Sequence, residues 1–221
     1  MPRIATPPLP PYASFAVRYG NDPEPSIVAA EMDLIHRRAV ATRRQEFVLG
    51  RAAAHDALGA IGLDDGPILS GPHREPIWPR GVVGSISHCA GIAVALVAPS
   101  TQSEGVGIDI ERLRHAPELE GQVPRPEEWT WLRETTERDR VTAVFALFSA
   151  KEAVFKAFFP RVGSIFGFEA ASLHPSDTGY VGRLVAPIDP DYPPKRTFVV
   201  TSNWHDDVVL SSVILAGSEA R

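Results

Sequence analysis

Gly105-Val-Gly-Ile-Asp109-Ile-Glu111 alternates with a period of two, the signature of a strand. Val106, Ile108 and Ile110 fall on one face. Gly107, Asp109 and Glu111 fall on the other. Upstream, Val82–His88 and Ile92–Ala98 read as two more strands, with Cys89-Ala90-Gly91 as the tight turn between them. Downstream, residues 112–140 are polar and end in a helix-like stretch, Glu127–Arg140. A strongly apolar helix, Thr142–Phe159, follows and is expected to stop at Pro160. Short strand-like runs at 180–186, 197–203 and 207–215 close the chain.

The first hundred residues begin with a proline-rich stretch, 1–25, which reads as an extended arm. Residues 26–58 are helical in pattern. Ser26 is a candidate cap for a first helix that continues through Glu31–Ala41. Thr42–Leu58 then repeats Phe47, Ala54 and Leu58 at helical spacing. A loop rich in glycine and proline spans 66–79. Helices, strands, a helix and strands again, without βαβ alternation, point to an α+β fold. The polar stretch at 100–105 divides the chain into 1–104, which includes the arm, and 105–221.

Composition excludes several classes. The 221 residues are 44% hydrophobic and 22% charged, as in an ordinary globular protein. A net charge of -5 argues against a nucleic-acid coat. No apolar run approaches the roughly 18 residues of a membrane span, and no secretory leader is expected, so the reading is a cytoplasmic protein. Cys89 is the one cysteine, which rules out a disulfide within the chain. Nineteen of the 22 cationic residues are arginine; the lysines are Lys151, Lys156 and Lys195.

Asp109 and Glu111, at i and i+2 on a strand, project from one face. Such carboxylates repel unless a cation joins them, and hard oxygen ligands suit Mg²⁺. Alone, the pattern also fits a solvated strand face. In Phe148-Ser-Ala-Lys151-Glu152-Ala-Val-Phe-Lys156, Lys151 and Glu152 lie within the apolar arc of Val144, Phe148, Phe155 and Phe158. A charge there must be paired, bind something or snorkel. Two lysines so close, in a chain that otherwise uses arginine, suggest that a compact charge or a transferable proton is needed; a plain Glu152–Lys156 helix pair is the simpler alternative.

Gly84-Ser-Ile-Ser87-His88 ends at a turn where His88 either meets a phosphate or is a satisfied strand-end histidine; Ser85 and Ser87 read first as structural residues, with a phosphate contact the alternative for Ser87. Cys89 reads as a small apolar filler. Arg43, Arg44 and Arg51 lie on a helix, Arg44 and Arg51 sharing one face, where paired arginines can clamp a phosphate. His73, Arg74 and the Trp78-Pro79 corner either cradle a nucleotide or form a packed turn. His36, His55, His115, His174 and His205 have no metal-ligand spacing. Walker-type loops, GxGxxG, HExxH and CxxC are absent.

Together, Gly107-Ile-Asp109-Ile-Glu111 and Phe148-Ser-Ala-Lys151-Glu152-Ala-Val-Phe-Lys156-Ala resemble the 4'-phosphopantetheinyl transferases. Arg43-Arg-Gln-Glu-Phe47, Gly50-Arg51, Pro76-Ile-Trp78-Pro79 and Gly84-Ser-Ile-Ser-His88-Cys89 look like the monomeric surfactin-type class, closest to its enterobactin-synthesis and actinobacterial branch. The resemblance covers roughly 40–170, with Gly167-Phe168-Glu169 and Tyr180–Leu184 as weaker echoes.

The resemblance implies two similar subdomains related by a pseudo-two-fold axis, with coenzyme A in the cleft between them. It implies Mg²⁺-dependent transfer of 4'-phosphopantetheine to a serine of an acyl or peptidyl carrier protein, with adenosine 3',5'-bisphosphate released. Asp109, Glu111 and Glu152 would hold the metal. Glu152 would be the base and Lys156 would neutralise or protonate the leaving phosphate. Lys151 and His88 would touch phosphates, and Arg43 and Arg51 would grip the 3'-phosphate. Relatives often carry lysine before E-P-x-W-P; here Pro72-His73-Arg74-Glu75-Pro76 offers His73 or Arg74 instead. A monomer without nucleic-acid or membrane partners is implied. The competing readings are a Mg²⁺-dependent hydrolase of coenzyme A and a silent module that binds coenzyme A or a carrier.

Overall fold

The computed structural model describes all residues except 24, 26, 27, 36, 37, 64, 65, 191, 193, 218–221 and the side chain at 138. Ser26 and His36 therefore lie outside the described residues.

Helix α5, Glu137–Val162, is the longest element, and its start and stop are chemically marked. The Thr136 backbone is extended, and its hydroxyl accepts the Asp139 amide at 3.2 Å. Gly163 closes the helix at φ 66. Pro160 lies inside the last turn and does not end the helix as expected: so near the C-terminus a missing N–H costs one bond, and Gly163 supplies the stop. The expected helix at Glu127–Arg140 is also corrected. Only α3 (Glu118–Gln122) and α4 (Trp129–Leu132) precede α5. Thr135 donates its hydroxyl to the Leu132 carbonyl and Thr136 turns to cap, so side chains compete for the groups a continuous helix needs.

In the N-terminal half, α1 is Ala29–Met32 and α2 is Ala41–Ala60. Asp33, Leu34 and Ile35 turn after Met32 rather than continuing the helix. The arm is corrected too: Ser14–Tyr19 is strand β1, hidden from the sequence pattern by the prolines on both sides. A small hairpin, β2 (Leu69–Ser70) and β3 (Pro76–Ile77), follows α2. β4 (Val82–Cys89) and β5 (Ile92–Pro99) match the expected pair. Their turn, Ala90-Gly91, has φ 46 and 79, the mirror-image geometry that suits a two-residue hairpin.

β6 (Ser103–Arg112) opens the second half. After α5 come β7 (Ala171–Ser176), β8 (Gly179–Leu184), β9 (Thr197–His205) and β10 (Val208–Ala216). The strands pair as β1-β5-β4 and as β6-β10-β9-β8-β7, every pair antiparallel. A similar order of elements thus occurs twice: a strand, one short helix in the first half and two in the second, a long helix, a hairpin, and a final hairpin whose second strand returns to pair with the first.

Three apolar clusters hold the layers. Ala53, Ala54, Ala57 and Leu58 of α2 pack on Ala95 and Val97 of β5. Val144, Phe145, Leu147 and Phe158 of α5 pack on Leu173, Phe198, Val200 and Val213. Between the two sheets lie Ile92, Val94, Leu96, Val106, Ile108, Ile110, Val208 and Leu210, joined by Ile4 from the arm. β5 is buried on both faces, which explains its unbroken apolar run.

The sheets are also stitched by hydroxyls. The amides of Ile108 and Ile110 donate to the side chains of Ser85 (3.1 Å) and Ser87 (3.3 Å). Both contacts span 23 residues, so β4 and β6 run in the same direction.

The expected face of Gly107, Asp109 and Glu111 is the one that meets α5. A Cβ on Gly107 would lie 1.8 Å from the Ala153 carbonyl oxygen, and one on Gly105 would lie 2.1 Å from that of Ala157. These glycines let helix backbone rest on strand backbone. Gly107→Ala is therefore expected to cost ~3 kcal/mol, a fall in Tm on the order of 10 °C. A thermal melt unchanged by this substitution would show that α5 has room to lift away.

Candidate active site

Because α5 sits so close to β6, Lys156 reaches Asp109. Its Nζ is 2.7 Å from Asp109 Oδ1 and 3.1 Å from Ser87 Oγ, and the Ser87 hydroxyl donates to the same carboxylate oxygen at 2.9 Å. Ser87 is thus fully used: it donates to Asp109 and accepts from Lys156 and from the Ile110 amide. It fixes Asp109, in keeping with the structural reading of this serine.

Asp109 is buried, and its other oxygen, Oδ2, has no hydrogen-bond partner. Burial pushes the Glu111 carboxyl up to about 7; Asp109 and Glu152 add to the shift, while Lys156 and Arg114 oppose it. Burial likewise raises Glu152, against the pull of Lys156 and with a push from Asp109. Three carboxylates around one lysine leave a net deficit of positive charge.

Among the described residues, no three or more His, Cys, Asp or Glu side chains stand close enough together to hold a metal ion by themselves. The orphaned Asp109 oxygen and the mutually repelling carboxylates nonetheless fit a hard cation that brings oxygen ligands of its own. Cys89, beside Glu111 and Asp109, is pushed up to about 12, chiefly by burial, which keeps it an inert thiol.

On the N-terminal side of this cluster opens a cavity of about 410 Å³. Arg43, Phe47 and Arg51 line it from α2, His88 from β4, and Arg74 from the β2–β3 turn. Arg51 is 5% exposed. One of its terminal nitrogens reaches the Ser70 hydroxyl (3.2 Å) and the Leu69 carbonyl (3.4 Å), while its Nε has no partner. Its plane stands 4.8 Å from the Phe47 ring centre. A buried guanidinium with an unused donor is a ready anion anchor.

His88 Nε2 is 3.0 Å from Arg43 Nη1, and arginine can only donate, so Nε2 accepts and Nδ1 carries the proton. Nδ1 faces Glu46 at 3.4 Å. Burial, with Arg43 and Lys156 nearby, lowers the His88 pKa and outweighs the opposing Glu46. The ring is a neutral hinge between the cavity and the lysine–carboxylate cluster.

Three expected residues stand elsewhere. Lys151 is 2% exposed and turns into the core. Its ammonium donates to Glu128 (2.7 Å) and to the carbonyls of Val123 (2.9 Å) and Phe168 (3.2 Å). All three donors are spent, so the expected phosphate contact is replaced by a buried ion pair. The His73 ring lies edge-on to Phe159, 5.7 Å away, and is not part of the cavity lining, which Arg74 joins instead. Arg44 is exposed and off that lining. Trp78 covers Gly84, where a Cβ would meet its ring at 2.4 Å; the Trp-Pro corner is a packed turn.

Beyond Glu152 is a second cleft of about 200 Å³, walled by Phe155, Ile165, Phe166 and Phe168. The sequence pattern gave no hint of Glu31 and Glu128, both 0% exposed, because their partners lie far along the chain.

The carboxylate repulsion has a measurable sign. Glu111 is held above its usual range, so its ionisation costs stability as pH rises from about 4.5 toward 7. Without divalent metal, Glu111→Gln should raise Tm at pH 8 and leave it nearly unchanged at pH 5. A gain of equal size at both pH values would remove the ionisation of Glu111 as its cause.

Comparison with known proteins gives the family of the chain. Residues 30–98 match the family model for the 4'-phosphopantetheinyl transferase N-terminal domain, and 105–201 match that of the 4'-phosphopantetheinyl transferase superfamily. 4'-Phosphopantetheinyl transferase PptT of Mycobacterium tuberculosis is 35% identical over 214 residues, 91% of this chain and 92% of its own length. 4'-Phosphopantetheinyl transferase Svp of Streptomyces mobaraensis is 40% identical over 159 residues, 68% of this chain, which spans 63% of that relative. Enterobactin synthase component D of Salmonella typhi is 34% identical over 171 residues, 76% of this chain and 69% of its own length. With two family models along most of its length and a full-length relative at this identity, the chain belongs to the 4'-phosphopantetheinyl transferase superfamily.

Proposed function

We propose that this chain transfers 4'-phosphopantetheine from coenzyme A to a serine hydroxyl of an apo acyl or peptidyl carrier protein. The observation that carries the reading is the Lys156–Asp109–Ser87 chain, set between an arginine-lined cavity and a cleft flanked by Glu152. An anionic donor fits the first and an incoming nucleophile has access to the second. The repeated element order supports two related halves, 1–104 and 105–221, with coenzyme A between them. Arg43, Arg51 and Arg74 are the cations available to its 3'-phosphate, and His88 lies where the chain of phosphates passes toward Lys156.

The serine oxygen forms a bond to the phosphorus that carries the pantetheine arm. The bridging bond to the adenosine 5'-phosphate breaks, and adenosine 3',5'-bisphosphate leaves. Glu152 takes the serine proton, directly or through water. Lys156 neutralises or protonates the leaving phosphate. Asp109, Glu111 and Glu152 are the carboxylates that would hold Mg²⁺, which supplies positive charge to the pyrophosphate when bound. No helix among the described residues is long and apolar enough to cross a membrane, and a cytoplasmic monomer remains part of the proposal.

Intact mass of an apo carrier, incubated with the enzyme, coenzyme A and Mg²⁺, tests the reading. The carrier should gain one phosphopantetheine mass. Glu152→Gln should slow that gain at least ~10²-fold, and EDTA should abolish it. Loss of coenzyme A with no modified carrier would make the protein a hydrolase. Neither event would make it a binding module.

Arg74 offers a second test. Its φ of 67 is left-handed, a conformation asparagine tolerates far better than arginine. Arg74→Asn should leave Tm equal or higher while weakening coenzyme A binding about tenfold, a loss on the order of one charge-assisted contact. Unchanged calorimetric affinity would take Arg74 out of the site.

A further inference from the structure

Each half buries one glutamate completely: Glu31 in α1 and Glu128 immediately before α4, both 0% exposed. They do the same thing in two places. Glu31 Oε1 accepts from His55 Nε2 at 2.9 Å and from the Ile68 amide at 2.7 Å. Glu128 accepts from Lys151 Nζ at 2.7 Å and, through Oε1, from the Leu173 amide at 2.8 Å. The side-chain partners are 24 and 23 residues away. His55 and Lys151 each stand fourteen residues beyond the first residue of their helices, Ala41 and Glu137. The amide partners are also matched: Ile68 leads into β2, and Leu173 lies in β7, each in the small hairpin region after its long helix.

Each glutamate also stands one step from a functional group. Ile68 is next to Leu69 and Ser70, whose carbonyl and hydroxyl hold the Arg51 guanidinium. Arg51 lies four residues before His55, and the Glu31 charge acts on it. In the other half, Lys151 is the residue before Glu152. Its bond to the Phe168 carbonyl fastens the wall of the cleft on which Glu152 opens. The two pairs differ in their surplus groups. Glu128 spends its second oxygen on Lys151 and the Arg125 amide, whereas Glu31 Oε2 and Arg51 Nε are both unpartnered.

We propose that Glu31 and Glu128 are equivalent positioning residues, one per half, each tying its long helix to the hairpin that follows. Glu31 sets Arg51 for the anion in the large cavity. Glu128, through Lys151, sets Glu152 for the chemical step. This rests on the transferase reading above. It gives Lys151 the task of orienting its neighbour, with no phosphate contact of its own.

The expected result is a split between kinetic constants. Glu31→Gln should raise KM and the calorimetric Kd for coenzyme A about tenfold, with kcat reduced less than threefold. Glu128→Gln should lower kcat for carrier modification at least tenfold, with Kd for coenzyme A within threefold. Displacements of an ångström at a reacting group reach that size. Both should lower Tm, which a purely structural role predicts as well; that role predicts no split. Glu31→Asp and Glu128→Asp, which keep the charge but shorten the reach, should show the same division in milder form and serve if a glutamine variant folds poorly. Equal losses in both constants for both variants, or a split in the opposite sense, would overturn the proposal while leaving the transferase reading standing. A wild-type chain that neither binds coenzyme A nor modifies a carrier would overturn both.

Discussion

Everything at the site depends on how closely α5 lies on β6. Ordinary helix-on-sheet packing keeps side chains between the two backbones. Here Gly105 and Gly107 remove them, and the carbonyls of Ala157 and Ala153 occupy the space. The closeness brings a lysine and a glutamate of the helix against two carboxylates of the strand. It also fixes an electrostatic problem in place: Glu111 and Glu152 are both driven toward their neutral forms. Stability is given up where a cation and an anionic substrate would restore it, a common trade at functional sites.

The opposite edge of β6 solves a different problem. β4 runs beside it in the same direction, and Ser85 and Ser87 provide hydroxyl oxygens for its amides. One serine therefore serves two tasks. Ser87 closes the seam between the halves and locks Asp109 in orientation. The sharing leaves the Ser87 hydroxyl no bond to spare for a phosphate.

The strand face of Asp109 and Glu111 and the helix bearing Glu152 and Lys156 were legible because period and spacing are local properties. Arg51 was legible as a helix cation, but counting turns pairs it with Arg44, seven residues away, whereas the cavity is lined by Arg43, eight away and about 80° round the helix. What else failed was non-local. Lys151 and Lys156 look alike in sequence, but one meets a buried glutamate 23 residues upstream and the other meets Asp109. Glu31 and Glu128 are invisible because their ligands are mostly backbone amides, which carry no sequence signal. β1 was missed since flanking prolines mask a six-residue run that only its partner β5 makes into a strand. Pro160 misled because a helix tolerates it where few carbonyls remain to be served.

The pairing of β6 with β10 has a consequence for synthesis. Gly105 meets Leu215, so the sheet of the second half closes only when nearly the whole chain exists. The first half is complete far sooner, since β1 needs only β5, which ends at Pro99. On a ribosome the arginine-lined half can form while β6 still lacks its main partner, and β4 can hold it through two serine hydroxyls in the meantime. The seam between the halves thus serves two amides of an acidic, glycine-marked strand from residues already made, without waiting for the last strand.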